Sequence, residues 1–168
     1  PSFISFPTPA LELVLYRLPW TIGLLTTSTI VTWTLGNLLG VIAGYFRTGR
    51  FGRVLEGVAI TLYPIPYYIM ALVLILVFAF LIPVFPLGGG TSVIAEELTL
   101  EVILNIIWHS LLPALSLIIP GALGWFFISA RTLTMETLSE DYTKYAQIRG
   151  LPEGHIIRRY VLKNILVP

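Results

Sequence analysis

The sequence predicts an all-α, polytopic membrane protein, and three observations predict it. Apolar residues make up 56% of the chain and charged residues 11%, with a mean hydropathy of +0.87, where a soluble domain carries roughly a quarter charged residues. Three stretches (18–46, 57–95 and 102–130) hold no Asp, Glu, Lys or Arg, and each exceeds the roughly 20 residues a helix needs to cross a hydrocarbon core. The charge that remains is concentrated: from Glu136 to Lys163 the chain is polar, basic and amphipathic. A membrane protein that gathers its charge in one insert is building a docking surface there.

The first span is expected over about 18–46. Pro19 suits a first helical turn, where its missing N–H does no harm. Arg47, Arg50 and Arg53 then cluster in the glycine-containing turn RTGRFGR. The second span is expected over about 54–82, with Glu56 close to its beginning, and Pro83, Pro86 and Gly88–Gly90 end it. A loop over 83–105 carries Glu96, Glu97 and Glu101. The third span covers about 106–130 and meets Arg131; the insert 131–163 follows, and a further span begins near Asn164. The chain opens on Pro1 and stops at Pro168 just inside that last apolar segment, as expected of an internal piece of a longer protein, so residues 1–168 read as one partial transmembrane domain.

Nine of the ten Lys and Arg residues lie in 47–53 or 131–163. An excess of Lys and Arg marks the cytoplasmic side, so both segments are expected in the cytoplasm and the 83–105 loop outside, in a multi-pass cell-membrane protein.

Within the spans, Gly36, Gly40 and Gly44 make two overlapping small-xxx-small steps that permit close approach of another helix. They serve helix packing or line a pathway. Pro64 and Pro66 in TLYPIPYY, like Pro113 and Pro120, each free a backbone carbonyl. Such breaks shape helices, and they also occur at transporter substrate sites. Tyr63, Tyr67 and Tyr68 beside the first break are candidate pathway residues. His109 is a packing or interfacial residue rather than a proton relay, because its span holds no carboxylate partner. Trp20, Trp108 and Trp125 fit an aromatic belt near helix ends.

The insert reads as two short helices. Thr137 and Glu140 have capping-box spacing, and Asp141 favours a helix start. Gly150 stands where a left-handed C-terminal cap belongs, and Pro152 suits the first turn of the next helix. Tyr142, Tyr145, Ala146 and Arg149 share one face of the first helix. In the second, Ile156, Ile157, Tyr160 and Val161 form an apolar stripe with Arg158 and Arg159 pointing away. Such helices lie on the lipid surface or enter a groove of a partner. The acidic residues 136, 140, 141 and 153 disfavour an anionic lipid surface.

The run DYTKYAQIRGLPEGHIIRRYVLKN resembles the cytoplasmic EAA-type loop of permease subunits of binding-protein-dependent ABC importers, above all the dipeptide, oligopeptide and nickel branch. Its recurring elements stand here as Asp141-Tyr142, Ala146, Gly150-Leu151 and Lys163-Asn164. RLPWTIGL, YPIPYY and LLPALSLIIPGALGW resemble the same branch upstream, and the RLP element resembles the first of its two permease types. Lys144 and Tyr145 occupy the Glu and first Ala positions of the general importer pattern, and Tyr160 and Lys163 replace its Ile and Pro. The resemblance implies a type I permease-like helical bundle. It also implies a coupling helix, Asp141 to Gly150 with Leu151, that contacts an ATP-binding cassette subunit through Asp141, Tyr142, Lys144, Tyr145, Ala146, Arg149 and Gly150. The implied partners are two ATP-binding subunits, a second permease forming a heterodimer, an extracytoplasmic solute-binding protein and the bilayer; no nucleic acid is expected. ATP and Mg would reside in the partner subunits, and the chain itself would hold no cofactor and be no enzyme. Peptides, oligosaccharides and nickel are the solutes the branch implies.

The chain has no cysteine and no G-x-x-x-x-G-K-[ST] stretch, so neither thiol chemistry nor a P-loop is expected. A secondary transporter predicts charged residues inside the spans for its coupling ion, and the three stretches hold none. A membrane scaffold without a pathway would explain the insert and the glycine face equally well; loss of transport on altering the insert discriminates against it.

Overall fold

A computed structural model describes residues 9–46, 49–88, 90 and 99–165. Among these residues the regular elements are all helical. Two helices are long and apolar enough to cross a membrane, Ala10–Tyr45 and Leu100–Ser139, and a third crossing forms if the bent pair Arg50–Leu62 and Tyr67–Leu81 is one span. Arg47 and Glu96–Glu97, which entered the orientation reading, lie outside the described residues, as do 91–98 of the expected outer loop and 166–168 of the last span.

Helix α1 (Ala10–Tyr45) starts well before residue 18, and Pro19 lies inside it. Leu11, Leu13, Val14 and Leu15 are apolar helix formers in a membrane context, and the single hydrogen bond lost at Pro19 does not stop the helix. At 1.5 Å per residue its 36 residues measure about 54 Å, longer than the ~30 Å core. Its buried side is a row of small residues four apart: Ser28, Thr32, Gly36, Gly40 and Gly44.

That row packs on the long helix made of α4 (Leu100–Gly121), a π-helical turn (Ala122–Phe126) and α5 (Phe127–Ser139). Gly121 faces Thr32, Gly36 faces Ala122 and Phe126, Gly40 faces Phe127 and Ala130, and Gly44 faces Arg131 and Thr134. Both numbers rise together, so the two long helices run parallel. A methyl at Gly40 would come within 2.6 Å of the Phe127 carbonyl oxygen; without a Cβ the backbones meet directly. Lipid tails are as apolar as the helices, so this close dispersion contact takes over the role that burial plays in water.

The expected second span is broken. α2 (Arg50–Leu62) and α3 (Tyr67–Ile75), which continues as a π-helical segment Leu76–Leu81, are bent by 100° across residues 63–66. Pro64 and Pro66 both lack the N–H needed to continue the ladder, and Ile65 N bonds back to Leu62 O instead. α2 packs on α1 and α5 through Ala59, Ala43 and Phe127. α3 packs on α4 through Leu74, Ala79 and Leu112, with Met70, Phe85 and Leu115 around them. Trp108 stacks on Phe85 at 4.5 Å, and the His109 ring bonds at Nδ1 with the Asn105 carbonyl of its own helix at 2.9 Å.

The third span also differs from expectation: its helix runs from Leu100 to Ser139 rather than ending at 130. Residues 131–138 contain no glycine or proline, so nothing stops it at Arg131. Thr137 is therefore a buried residue within α5 rather than a helix cap. Trp125 falls in the π-helical turn, well inside the helix, so an aromatic belt does not explain it.

Candidate functional site

The loop after α5 builds a seated pair of helices. Glu140 adopts extended backbone, and its carbonyl accepts from the N–H of Thr143 and Lys144 to start α6 (Asp141–Ile148). Gly150 ends it with φ +70°: Gly150 N–H donates to Gln147 O and Leu151 N–H to Ala146 O. These two bonds are a Schellman closure, and the left-handed residue within it is the position a Cβ would strain. Replacing Gly150 by alanine is expected to cost about 1 kcal/mol, and amide exchange within α6 is expected to quicken about fivefold. Unchanged exchange would show that the cap does not hold the helix.

Pro152 then caps α7 (Glu153–Ile156) from one position before its first residue, accepting from His155 and Ile156 N–H. A π-helical turn (Ile157–Val161) and α8 (Leu162–Ile165) continue it. Ile156 and Val161 are buried; Val161 and Ile165 sit against Val41 and Ala130, with Leu138, Ile157 and Leu162 around them. Arg158, Arg159 and Lys163 point outward. The apolar stripe of this second helix thus lies against α1 and α5 of its own chain.

α6 is tied down from both sides. Tyr142 stacks on Tyr160 with ring centroids 6.4 Å apart, and its hydroxyl accepts from Asn164 Nδ2 at 3.3 Å. Thr143 and Ala146 turn inward and are buried, with α6 packing on α5 and α7. Ala146 therefore shares no exposed face with Tyr142, Tyr145 and Arg149; its small size lets α6 sit close to its own chain. The outer face carries Tyr145 and Ile148, 68% and 80% exposed, beside Lys144 and Arg149. Lys144 reaches Asp141 at 3.5 Å, an exposed pair that contributes little. Ile148 lies inside the expected coupling helix but is not singled out by the sequence reading, although its three-residue spacing from Tyr145 is a signal for it.

The second feature is the helix break. Tyr63, Pro64, Pro66 and Tyr67 line a cleft of about 200 Å³ together with Pro120 and Trp125. Tyr68 is exposed and lies outside this cleft. Tyr63 touches Gly124 in the π-helical turn, which is level with Gly36. Gly36 lies nine residues before Tyr45, the last residue of α1, or about 14 Å of helix rise, so the break falls within the apolar length of the spans. Irregular backbone at that depth is tolerated only where protein or a water-filled cavity covers it.

Between these two features Arg131 Nη1 donates to Glu56 Oε1 at 2.6 Å, with side-chain exposures of 15% and 34%. Sequence reasoning placed the two charges in separate segments and missed the pair. The signal was present: each is the charge that borders a long apolar run, and their signs are opposite.

Fold and loop together define a polytopic α-helical membrane protein whose helical insert is seated on the ends of its spans. Residues 36–168 match the family described as binding-protein-dependent transport system inner membrane component, and the chain belongs to that family. It is 29% identical over 171 residues to the oligopeptide transport system permease protein AppB of Bacillus subtilis, covering 99% of this chain and 51% of that protein. It is 25% identical to the dipeptide transport system permease protein DppB of Lactococcus lactis, covering 99% and 50% respectively. It is also 29% identical to the probable D,D-dipeptide transport system permease protein DdpB of Escherichia coli, covering 95% and 51%. The chain spans about half the length of these relatives.

Proposed function

We propose that this chain is part of the permease subunit of an ATP-driven importer for peptides, and that α6 is its contact with a separate ATP-binding subunit. The family match and the permease names of the similar proteins support the transport class and the peptide substrate. The observation that carries the coupling role is the outer face of α6. Tyr145 and Ile148 stand exposed on a helix anchored by a Schellman closure, by the Tyr142–Tyr160 stack and by the buried seat of α7–α8. An exposed isoleucine beside a tyrosine on a rigid support is what an apolar groove of a partner can grip.

In this reading residues 47–53 and 131–163 are cytoplasmic. ATP and Mg bind to the partner subunits, a second permease completes the pathway, and an external binding protein delivers the solute. Closure of the ATP-binding subunits displaces α6, and the seat on Val41 and Ala130 passes that displacement into α1 and α5. Tyr63 and Tyr67 at the break face the pathway.

The test uses the full-length permease assembled with its partners, with single cysteines at Ile148 and, on the opposite side of the membrane, at Glu101. A crosslink from 148 to the ATP-binding subunit that changes with ATP is expected, with none from 101. Ile148→Asp is expected to lower affinity for that subunit about 30-fold, the equivalent of losing one apolar anchor of about 2 kcal/mol. An assembled, ATP-hydrolysing complex without a crosslink at 148 would leave α6 as a lipid-surface helix.

A further inference from the structure

The Glu56–Arg131 pair does more than satisfy two charges. Among the described residues it is the ion pair that joins segments distant in sequence, and it lies where three helices meet. Its guanidinium extends from α5 toward α2, while the Arg131 backbone lies against Gly40 and Gly44 of α1. Toward the C-terminal end of α1, α2 also packs on α1 and α5 through Ala43, Ala59 and Phe127. Beyond the bend at residues 63–66 the partners change, and α3 packs on α4.

α1 runs past both sets of contacts, packing on α4 at Thr32 and on α5 at Gly40 and Gly44, while the other two spans each change helical form at one level. One change is the 100° bend at residues 63–66, and the other is the π-helical turn Ala122–Phe126. They touch, because Gly124 abuts Tyr63. A helix ladder broken at Pro64 and Pro66 bends at little cost, whereas a short charge-assisted bond between partly buried groups holds its two helices together, since leaving the more buried Arg131 charge alone there is unfavourable.

We infer that Glu56 and Arg131 form a clamp that makes α2 and α5 one moving body, pivoting on the paired interruptions at Tyr63–Pro66 and Ala122–Phe126, so that displacement of α6 opens or closes the cleft beside Tyr63. The inference rests on the importer reading and assigns positioning roles to two residues that lie outside the cleft itself.

The test takes the assembled full-length importer in proteoliposomes. Absence of ATP-driven uptake by the unaltered protein would overturn the importer reading and the clamp with it. Given uptake, Glu56→Gln and Arg131→Gln are each expected to lower solute moved per ATP hydrolysed about tenfold, while hydrolysis itself stays within about twofold. The exchange Glu56→Arg with Arg131→Glu is expected to restore coupling. Unchanged uptake per ATP in both single variants would overturn the clamp, as would equal loss of uptake and hydrolysis, which marks a merely structural pair. A second measurement leaves the pair intact and so does not depend on the variants folding. Spin labels at the exposed residues Val58 and Leu133 are expected to keep one separation with and without trapped ATP, while labels at Ile69 and Leu133 change theirs by several ångströms. A Val58–Leu133 separation that shifts as much as the Ile69–Leu133 separation would overturn it.

Discussion

Gly40→Leu is expected to part α1 from α5 and to abolish assembly of a stable bundle. A Cβ at residue 40 would lie 2.6 Å from the Phe127 carbonyl oxygen, 2.8 Å from Ala130 Cβ and 3.1 Å from Arg131 N. Two of these atoms are backbone and cannot rotate away. The helices must separate by about 1 Å to restore ordinary contact. Because Gly36 and Gly44 lie one turn to either side on the same face, the separation also loosens their contacts, and their own neighbours lie equally close. Overpacking of this kind costs about 3 kcal/mol, and here it also weakens the contacts along a whole face. Thermal unfolding in detergent is the measurement, with Gly57→Ala as the comparison. Gly57 has open space around its Cβ position, and alanine there is expected to change stability by no more than about 0.5 kcal/mol. If Gly40→Leu melts with the unaltered protein, the parallel packing of α1 on α5 is wrong.

Val161→Asp is the second substitution with a large expected effect, and it acts on the seat of the loop rather than on the bundle. Val161 is fully buried against Val41, Ala130 and Ile165. A carboxylate there has no hydrogen-bond partner among those side chains, and an uncompensated buried charge costs about 3–5 kcal/mol. The local answer is for α7–α8 to lift away, which exposes the backbone around Arg158, Arg159 and Lys163. Limited trypsin digestion of the full-length protein is therefore expected to cut at these residues far faster than in the unaltered chain, while the spans stay inserted. On the proposed importer reading uptake should fall with it, since the displacement of α6 would no longer reach α1 and α5. Lys163→Gln, on the outward side of the same helix, should leave the remaining cut sites as protected as before. Equal protection in Val161→Asp would mean that the loop does not depend on this seat.

Part of this molecule is legible in its sequence. Stretches of uncharged sequence announced the spans, because the hydrocarbon core sets a minimum length and removes charge. Gly36, Gly40 and Gly44 announced a close helix contact, since only a missing Cβ permits it. Gly150 announced its left-handed cap for the same reason. The stripe Ile156, Ile157 and Val161 announced which side of the second loop helix would be covered.

Other features were not legible, and each for a definite cause. Pro64 and Pro66 declared a break, but the 100° bend depends on Tyr63 seating against Gly124 of a different span. The continuation of α5 to Ser139 overrode a plausible cap at Thr137, because burial of Thr134 and Thr137 against neighbouring helices outweighs a local capping preference. Ala146 has helical spacing from Tyr142 and Arg149, yet a short helix offers several overlapping faces, and the surface beneath it selects Thr143 and Ala146 for the inside.

By itself, then, the sequence determined composition-driven properties: a membrane-spanning helical chain, the place of its one polar insert, and the positions where a side chain had to be absent. These follow from solvent and from backbone sterics, which act on each segment alone. Only the tertiary structure decided that Glu56 meets Arg131, that two helix interruptions face each other at one depth, and that Tyr145 and Ile148 rather than Ala146 are presented outward. Those outcomes depend on how distant segments are rotated against one another, and a helix rotates to suit its neighbours rather than its own sequence.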